Sequence, residues 1–437
     1  LKIIKTKYGQ FRKALYAFAL LPVFIILTIS CSTSPLPRQK FTTVPQDFFG
    51  IVHAGSSGTD EEYRLLDDMG AVWMLQTFYW SGIEKEQGKF DYSWYDTYVD
   101  NAVSRGKKVI ACLGYENHWI FKDGKTKRVI TKENILYFLN FVEKTVKRYS
   151  GKVSAWEIWN EPNWWVFWKG SDNEFFELLK QTAQRIRKTD PGAYIIGGAF
   201  WRVPDNFIRG MYKYGAMENL DGLAFHPYAV NPQGALRLHD TFNKILSEIN
   251  YKGDVWITEV GYPTSGWYPT AVSQDEFPSY IVKTIAGAAA RGARMLSWYQ
   301  LADAYNEGQA PRNFDSELFF GLVYPDWTKK KGAWAYQLCA NWLPGTFYSP
   351  ELIIREKIPK SLVSYFFWNQ EQNVLILWNE AETSCKVRIT VSSLITIHNI
   401  SGDSRSVVPD GSVLEIGGEP VFITWEGGSL PALSPAN

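Results

Sequence analysis

The chain has 437 residues, 46% of them hydrophobic and 16% aromatic, which is enough for a large packed domain with a smaller one beside it. Its 46 basic and 45 acidic side chains leave a formal net charge of +1, and no block of like charge follows the first thirteen residues, which argues against a nucleic-acid or polyanion partner. Nineteen tryptophans supply flat amphipathic rings suited both to a core and to stacking on sugars, and composition does not choose between the two.

The chain opens with Lys2, Lys5, Lys7, Arg12 and Lys13, followed by a nearly uncharged apolar run from Ala14 to Ser30. This reads as an export signal. Cys31, followed by the Ser/Pro-rich "STSPLPRQK", resembles the acylated cysteine of a bacterial lipoprotein signal, although Thr28 stands where that pattern prefers an aliphatic residue. Residues 1–31 are thus expected to be the signal segment and 32–45 a linker, with the body exported and tethered to a membrane in a bacterial cell envelope. An uncleaved anchor is the alternative, and seventeen residues is at the short end for a spanning helix.

Eight strand-like apolar runs follow, at 48–54, 71–80, 107–115, 152–161, 193–200, 221–228, 254–261 and 294–301. Segments with a period near 3.6 alternate with them, near 60–69, 92–105, 131–149, 171–190, 204–215, 234–249, 273–291 and 329–343. Ser171 and Glu174 have capping-box spacing, and Pro191-Gly192 stops that helix. Eight strand–helix units predict a (β/α)8 barrel over residues 46–345. A doubly wound sheet is the competing fold, but no Gly-rich phosphate turn follows the first strand. From 346 to 437 the texture turns to short β-rich runs with polar turns, which predicts a small C-terminal antiparallel β-sandwich bracing the barrel.

In such a barrel, reacting groups project from the C-terminal strand ends. Those ends carry His53, Tyr115 to Trp119, Asn160 with Glu161, His226 with Tyr228, Glu259 and Trp298. Glu161 and Glu259 each end a strongly apolar strand, on units that face each other across the mouth. Two such carboxyl groups suit glycoside cleavage, one protonating the leaving oxygen while the other meets the cationic anomeric carbon. Either glutamate alone could equally cap a helix or pair with a base. Strict alternation would send Asn160 and Glu161 to opposite faces, so a twist or bulge is expected before Pro162. Trp164, Trp165 and Trp168 would lie over the pocket, and Glu157 is read as a structural group of the barrel interior. His53, His118 and His226 offer no short chelating pair, so no metal is expected, and no phosphate or dinucleotide fingerprint implies a cofactor. A GxSxG elbow is absent. Cys112 and Cys339 read as small buried hydrophobes, and no CxxC pair is present.

"WEIWNEPN" with "WITEVGYPT" resembles the acid/base and nucleophile strands of the clan A glycoside hydrolases, retaining enzymes on a (β/α)8 barrel. "WSGIEKEQGKFDYSWYD", "LGYENHW", "LDGLAFHPY" and "FFGLVYPDWTKKKGAWAYQ" are most similar to the family 39 branch of β-xylosidases and iduronidases. The resemblance covers about residues 48–430 and implies a carbohydrate substrate. It makes Glu161 the general acid/base and Glu259 the nucleophile, with Asn160 on the sugar 2-hydroxyl and Tyr228 hydrogen-bonded to the nucleophile. His226 would contact substrate, Trp298 would floor the cleaved sugar's subsite, and Trp119 and Trp164 are further substrate-binding candidates. Ionised Glu259 is expected to raise the proton affinity of Glu161. One departure stands out, because the arginine expected in the second strand is Leu75, with Gln76 and Thr77 the nearest polar groups. A glycan-binding protein without turnover and a transglycosidase therefore stay open beside the hydrolase. The sugar, the linkage and the oligomeric state are not legible.

Overall fold

The computed structural model describes residues 41–120, 129–266, 271–306, 315–381, 383–407, 412–427 and 429–436. The leader and Cys31 lie outside them. No described helix is long and apolar enough to cross a membrane.

The eight apolar runs form a closed parallel barrel. Its strands are β1 (Phe49–Val52), β2 (Trp73–Tyr79), β3 (Lys108–Gly114), β4 (Ala155–Ile158), β5 (Ile195–Trp201), β6 (Gly222–His226), β7 (Asp254–Val260) and β8 (Met295–Trp298). Helices cover the outside and side chains fill the inside, so both strand faces are buried and the runs read as continuously apolar. Ile51, Met74, Val109, Trp156, Ile195, Leu223, Ile257 and Leu296 are all essentially inaccessible to water. The helix Asp172–Thr189 begins at the expected capping box, with the Ser171 and Glu174 side chains each meeting the other's backbone N–H.

Two irregularities set the site. β5 slips register against β6 between Gly197 and Phe200, and β7 slips against β8 between Ile257 and Val260. β4 is shorter than its apolar run, ending at Ile158.

The C-terminal strands form two sheets. One of seven strands has the order Thr42–Thr43, Phe347–Tyr348, Leu362–Trp368, Asn373–Asn379, Val421–Trp425, Ile395–His398 and Ser404–Val407. The other, of four, contains Ile354–Arg355, Ala432–Pro435, Cys385–Thr390 and Ser412–Ile416. Alternation splits the first sheet's side chains between two cores. Phe366, Leu375, Leu377 and Ile423 pack against the second sheet, while Tyr365, Phe367, Val374 and Ile376 join the core of the barrel. The stretch read as linker differs from expectation at its end. Thr42–Thr43 pairs with Phe347–Tyr348 as an edge strand, and Val44 exchanges backbone hydrogen bonds with Gly345 and Thr346 at 2.9 and 2.8 Å.

Candidate active site

A cavity of about 620 Å³ opens at the C-terminal ends of the strands, a volume suited to a small-molecule or sugar ligand. Its walls include Asn160, Glu161, Trp164, Tyr228 and Glu259.

The tension at "WNEP" is resolved by the backbone. Trp159 and Glu161 adopt left-handed φ values of 67° and 42°, a conformation that costs a non-glycine residue roughly 1–3 kcal/mol and persists where the surroundings enforce it. Enforcement here is by hydrogen bonds to both neighbouring strands. Trp159 N–H donates to Leu113 O at 3.1 Å, and Glu161 N–H donates to Ala199 O, inside the β5 irregularity, at 2.9 Å. Asn163 then clamps the following loop, exchanging hydrogen bonds with the backbone of Trp201 at 2.9 and 3.0 Å. His53 and Arg202 on the cavity wall and Ala199 in β5 are also left-handed.

The β7 irregularity does the same for its strand. Consecutive Thr258 and Glu259 both reach the ring of His226, which regular alternation forbids. His226 Nδ1 lies 2.8 Å from Glu161 Oε1 and 3.6 Å from Glu259 Oε2, and Nε2 lies 3.1 Å from Thr258 Oγ1. The Tyr228 hydroxyl donates to Glu259 Oε2 at 3.1 Å. One polar atom from each of Glu161, His226 and Glu259 lies within 4.8 Å of the other two.

Burial dominates the electrostatics. It pushes Glu161 up to about 8, helped by the charge of Glu317 at the cavity wall. It pushes Glu259 up to about 7, opposed by His226 and the Tyr228 hydrogen bond and reinforced by Glu161 and Glu157. His226, wholly enclosed, is driven down by burial, against the opposing charge of Glu259. Repulsion from Glu259, expected from the sequence to load Glu161, is not the cause of the rise, which comes from burial first and Glu317 second.

Several expected site residues are placed elsewhere. Trp298 is fully buried against Tyr262 and Phe277 and is not part of the cavity wall, because its side chain faces the core while Tyr299 and Phe320 take the wall. His226 is likewise fully buried and not part of the cavity wall, with its Nδ1 2.8 Å from Glu161 Oε1. Trp119 donates from Nε1 to Glu84 O and packs edge-on against Trp80, away from the cavity. Asn117 binds the same carbonyl at 2.7 Å, so "WSGIE" and "ENHW" form one structural clamp. Trp164 does line the cavity, stacked on Trp201 at 5.3 Å, while Trp165 is 71% exposed and Trp168 is buried. Leu75 is buried in the cavity wall, and Gln76 is engaged by His53 Nδ1 at 3.1 Å. Arg202, exposed, is the one arginine or lysine among the described residues of the wall. Sequence reasoning missed Trp201, Arg202, Tyr299 and Glu317. Trp201 and Arg202 directly follow the expected fifth strand and Tyr299 lies within the expected eighth, a usable signal, whereas Glu317 sits on a short 3-10 helix, Ser316–Phe319, beyond β8.

Residues 114–258 match the model of glycosyl hydrolases family 39, a stretch that ends one residue before Glu259. A β-xylosidase of Geobacillus stearothermophilus is 31% identical over 93 residues, spanning 20% of this chain and 18% of the relative. Among solved structures, a family 39 glycoside hydrolase from the gut symbiont Bacteroides cellulosilyticus WH2 superposes with a TM-score of 0.74 at 20% identity, covering 87% of this chain and 81% of that one. A monomeric β-xylosidase from Caulobacter crescentus CB15 gives 0.63 at 14% identity, covering 91% and 98%. At these identities the structures establish the fold. The resemblance read from the sequence thus returns in the family model and in the barrel with its sandwich, and the segment holding Glu161, His226 and Tyr228 is the one that matches glycosyl hydrolases family 39.

Proposed function

We propose that the protein is a retaining glycoside hydrolase acting on an oligo- or polysaccharide, with Glu259 as nucleophile and Glu161 as acid/base. The observation that supports this most is the approach of a Glu161 oxygen and a Glu259 oxygen to within 4.8 Å, close to the roughly 5 Å separation of carboxyl groups in retaining enzymes. In the first step a Glu259 oxygen bonds to the anomeric carbon. The glycosidic C–O bond breaks, and its oxygen takes the Glu161 proton. In the second step Glu161, now ionised, takes a proton from water as the water oxygen bonds to the anomeric carbon and the ester is released. Asn160 and Trp164 on the cavity wall serve the bound sugar, and the carbohydrate is the partner this site fits.

A panel of aryl glycosides tests the reading. Turnover that disappears in Glu161→Ala and Glu259→Ala supports it. Sugar binding with no turnover across the panel would favour a glycan-binding protein, a reading kept alive by Leu75 and by a raised Glu259 with no described arginine beside it. Products longer than the substrate would indicate transfer.

We propose also that the leader places this activity at a membrane surface through acylation of Cys31, on the strength of the basic-apolar-cysteine order alone. Incorporation of labelled fatty acid that persists in Cys31→Ser would reject this.

A further inference from the structure

Arg202 follows β5 on the wall of the cavity, exposed, and no described acidic side chain pairs with it. Elsewhere on the barrel Arg148, Arg187, Arg291 and Arg294 are each held by a carboxylate, from Asp96, Asp221, Asp240 and Asp47 in turn. Nor does Arg202 stand in for the arginine missing at Leu75, since it is not among the groups that set the charge of Glu161 or Glu259. A cation without a protein partner, on the wall of a ligand cavity, is available to a ligand.

Its place is firmly built. The Arg202 N–H donates to His226 O at the end of β6, at 3.0 Å, and the backbone holds a left-handed φ of 59°. The guanidinium carbon lies 5.8 Å from the centroid of the Trp201 ring, which stacks on Trp164 at 5.3 Å, and Asn163 clamps the Trp201 backbone at 2.9 and 3.0 Å. A guanidinium over an aromatic ring keeps its planar fork of N–H donors free for a carboxylate or a sulfate.

Two features fix which part of a substrate this cation meets. Glu161 has to reach the leaving oxygen, so the released residue lies against β4 and the loop after it, beside Trp164, and β5 is the next strand round the barrel. Glu317 enters from beyond β8, on the same cavity wall, and its charge is felt at Glu161. An anion on the cleaved sugar would therefore meet Glu259 and Glu317, like charges in a largely buried site. We propose that Arg202, Trp201 and Trp164 form a subsite on the leaving side for a sugar residue that carries a carboxylate or sulfate group, which makes the substrate an acidic glycan. The subsite rests on the glycosidase reading and on Glu161 as its acid. One guanidinium meets one anionic group, in keeping with a chain of net charge +1.

The test uses three aryl glycosides of the sugar that the panel identifies by turnover or binding, with para-(carboxymethyl)phenyl, para-(sulfooxymethyl)phenyl and para-(carbamoylmethyl)phenyl leaving groups. The aryl ring takes the place of the leaving residue beside Trp164, and the carbamoyl compound is the uncharged match to the carboxylate. The ratio of kcat/KM, anionic over uncharged, is measured in the wild type, Arg202→Gln and Arg202→Lys at low and high salt. The wild type should favour an anion by about 3- to 10-fold, a preference that fades in Arg202→Gln and at high salt and is intermediate in Arg202→Lys. Damage to the site lowers the rates of all three compounds together and leaves the ratio readable. A preference for either anion supports the subsite, and the larger of the two names the group. A wild-type ratio at or below one for both anions, or a ratio unchanged in Arg202→Gln, would overturn it. Failure of the glycosidase reading shows separately, as no turnover of the uncharged compound, and the preference is then read from calorimetric titration of the same three compounds.

Discussion

The hydroxyl of Tyr228 donates to Oε2 of Glu259 across 3.1 Å. With Leu75 where the resemblance leads one to expect an arginine, this bond and the nearby His226 are the groups that oppose the upward push of burial on Glu259. A hydrogen bond to a charged group contributes about 1.5–3 kcal/mol. Tyr228→Phe is therefore expected to lower kcat/KM by roughly 10- to 100-fold and to move the acidic limb of the pH profile upward, because the ionised nucleophile loses its donor. Steady-state kinetics across pH checks both.

The wild-type profile should be bell-shaped and displaced toward alkaline pH. The proposed mechanism requires Glu259 ionised and Glu161 protonated, so activity is expected to rise as pH passes through about 7 and to fall as it passes through about 8. An optimum near pH 5 with both limbs below neutrality would contradict the burial argument. The two limbs belong to an interacting pair and are to be fitted as such.

Burial of Glu161 has a stability counterpart with a definite sign. Its proton affinity in the fold is raised from the usual 4.5 to about 8, so the native state holds a proton that the unfolded chain releases in that window. Stability is full below the unfolded value and is lost as pH rises toward the folded one. Glutamine cannot ionise, so Glu161→Gln should be more stable than the wild type at pH 8, by about 2–4 kcal/mol, and melt at a higher temperature there, with little difference at pH 4. Thermal melts at the two pH values measure it, and an equal gain at both would point to packing instead.

Much of the fold was legible because parallel strands buried on both faces announce themselves as apolar runs, and helix ends such as Ser171–Glu174 carry their own signature. The approach of Glu161 to Glu259 was legible for the same reason, as charge at the end of an apolar strand. Local pattern could not show where tryptophans go. Trp298 and Trp164 are equally suited to a sugar by composition, yet one is in the core and the other on the wall, a difference set by which side of a strand end each leaves. Nor could it show that Thr258 and Glu259 share His226, since that depends on a register slip between β7 and β8. Glu317 was invisible because it enters on the short 3-10 helix Ser316–Phe319, too brief to show a periodicity.

Trp164 offers a stacking face braced by Trp201 at 5.3 Å and 23°. Replacement by alanine should raise KM about 3- to 10-fold while leaving kcat largely intact, the pattern for binding made equally to substrate and transition state. A comparable loss in kcat at unchanged KM would place the ring in the reaction itself.

Formation of a bond between Glu259 and the anomeric carbon is the step on which the account turns. Incubation with the 2-deoxy-2-fluoro analogue of whichever glycoside the panel identifies slows release of that ester, and mass spectrometry of the digested protein locates it. One sugar is expected on the peptide bearing Glu259, absent in Glu259→Ala; a label on another side chain, or turnover with inverted product and no adduct, would contradict the nucleophilic role of Glu259.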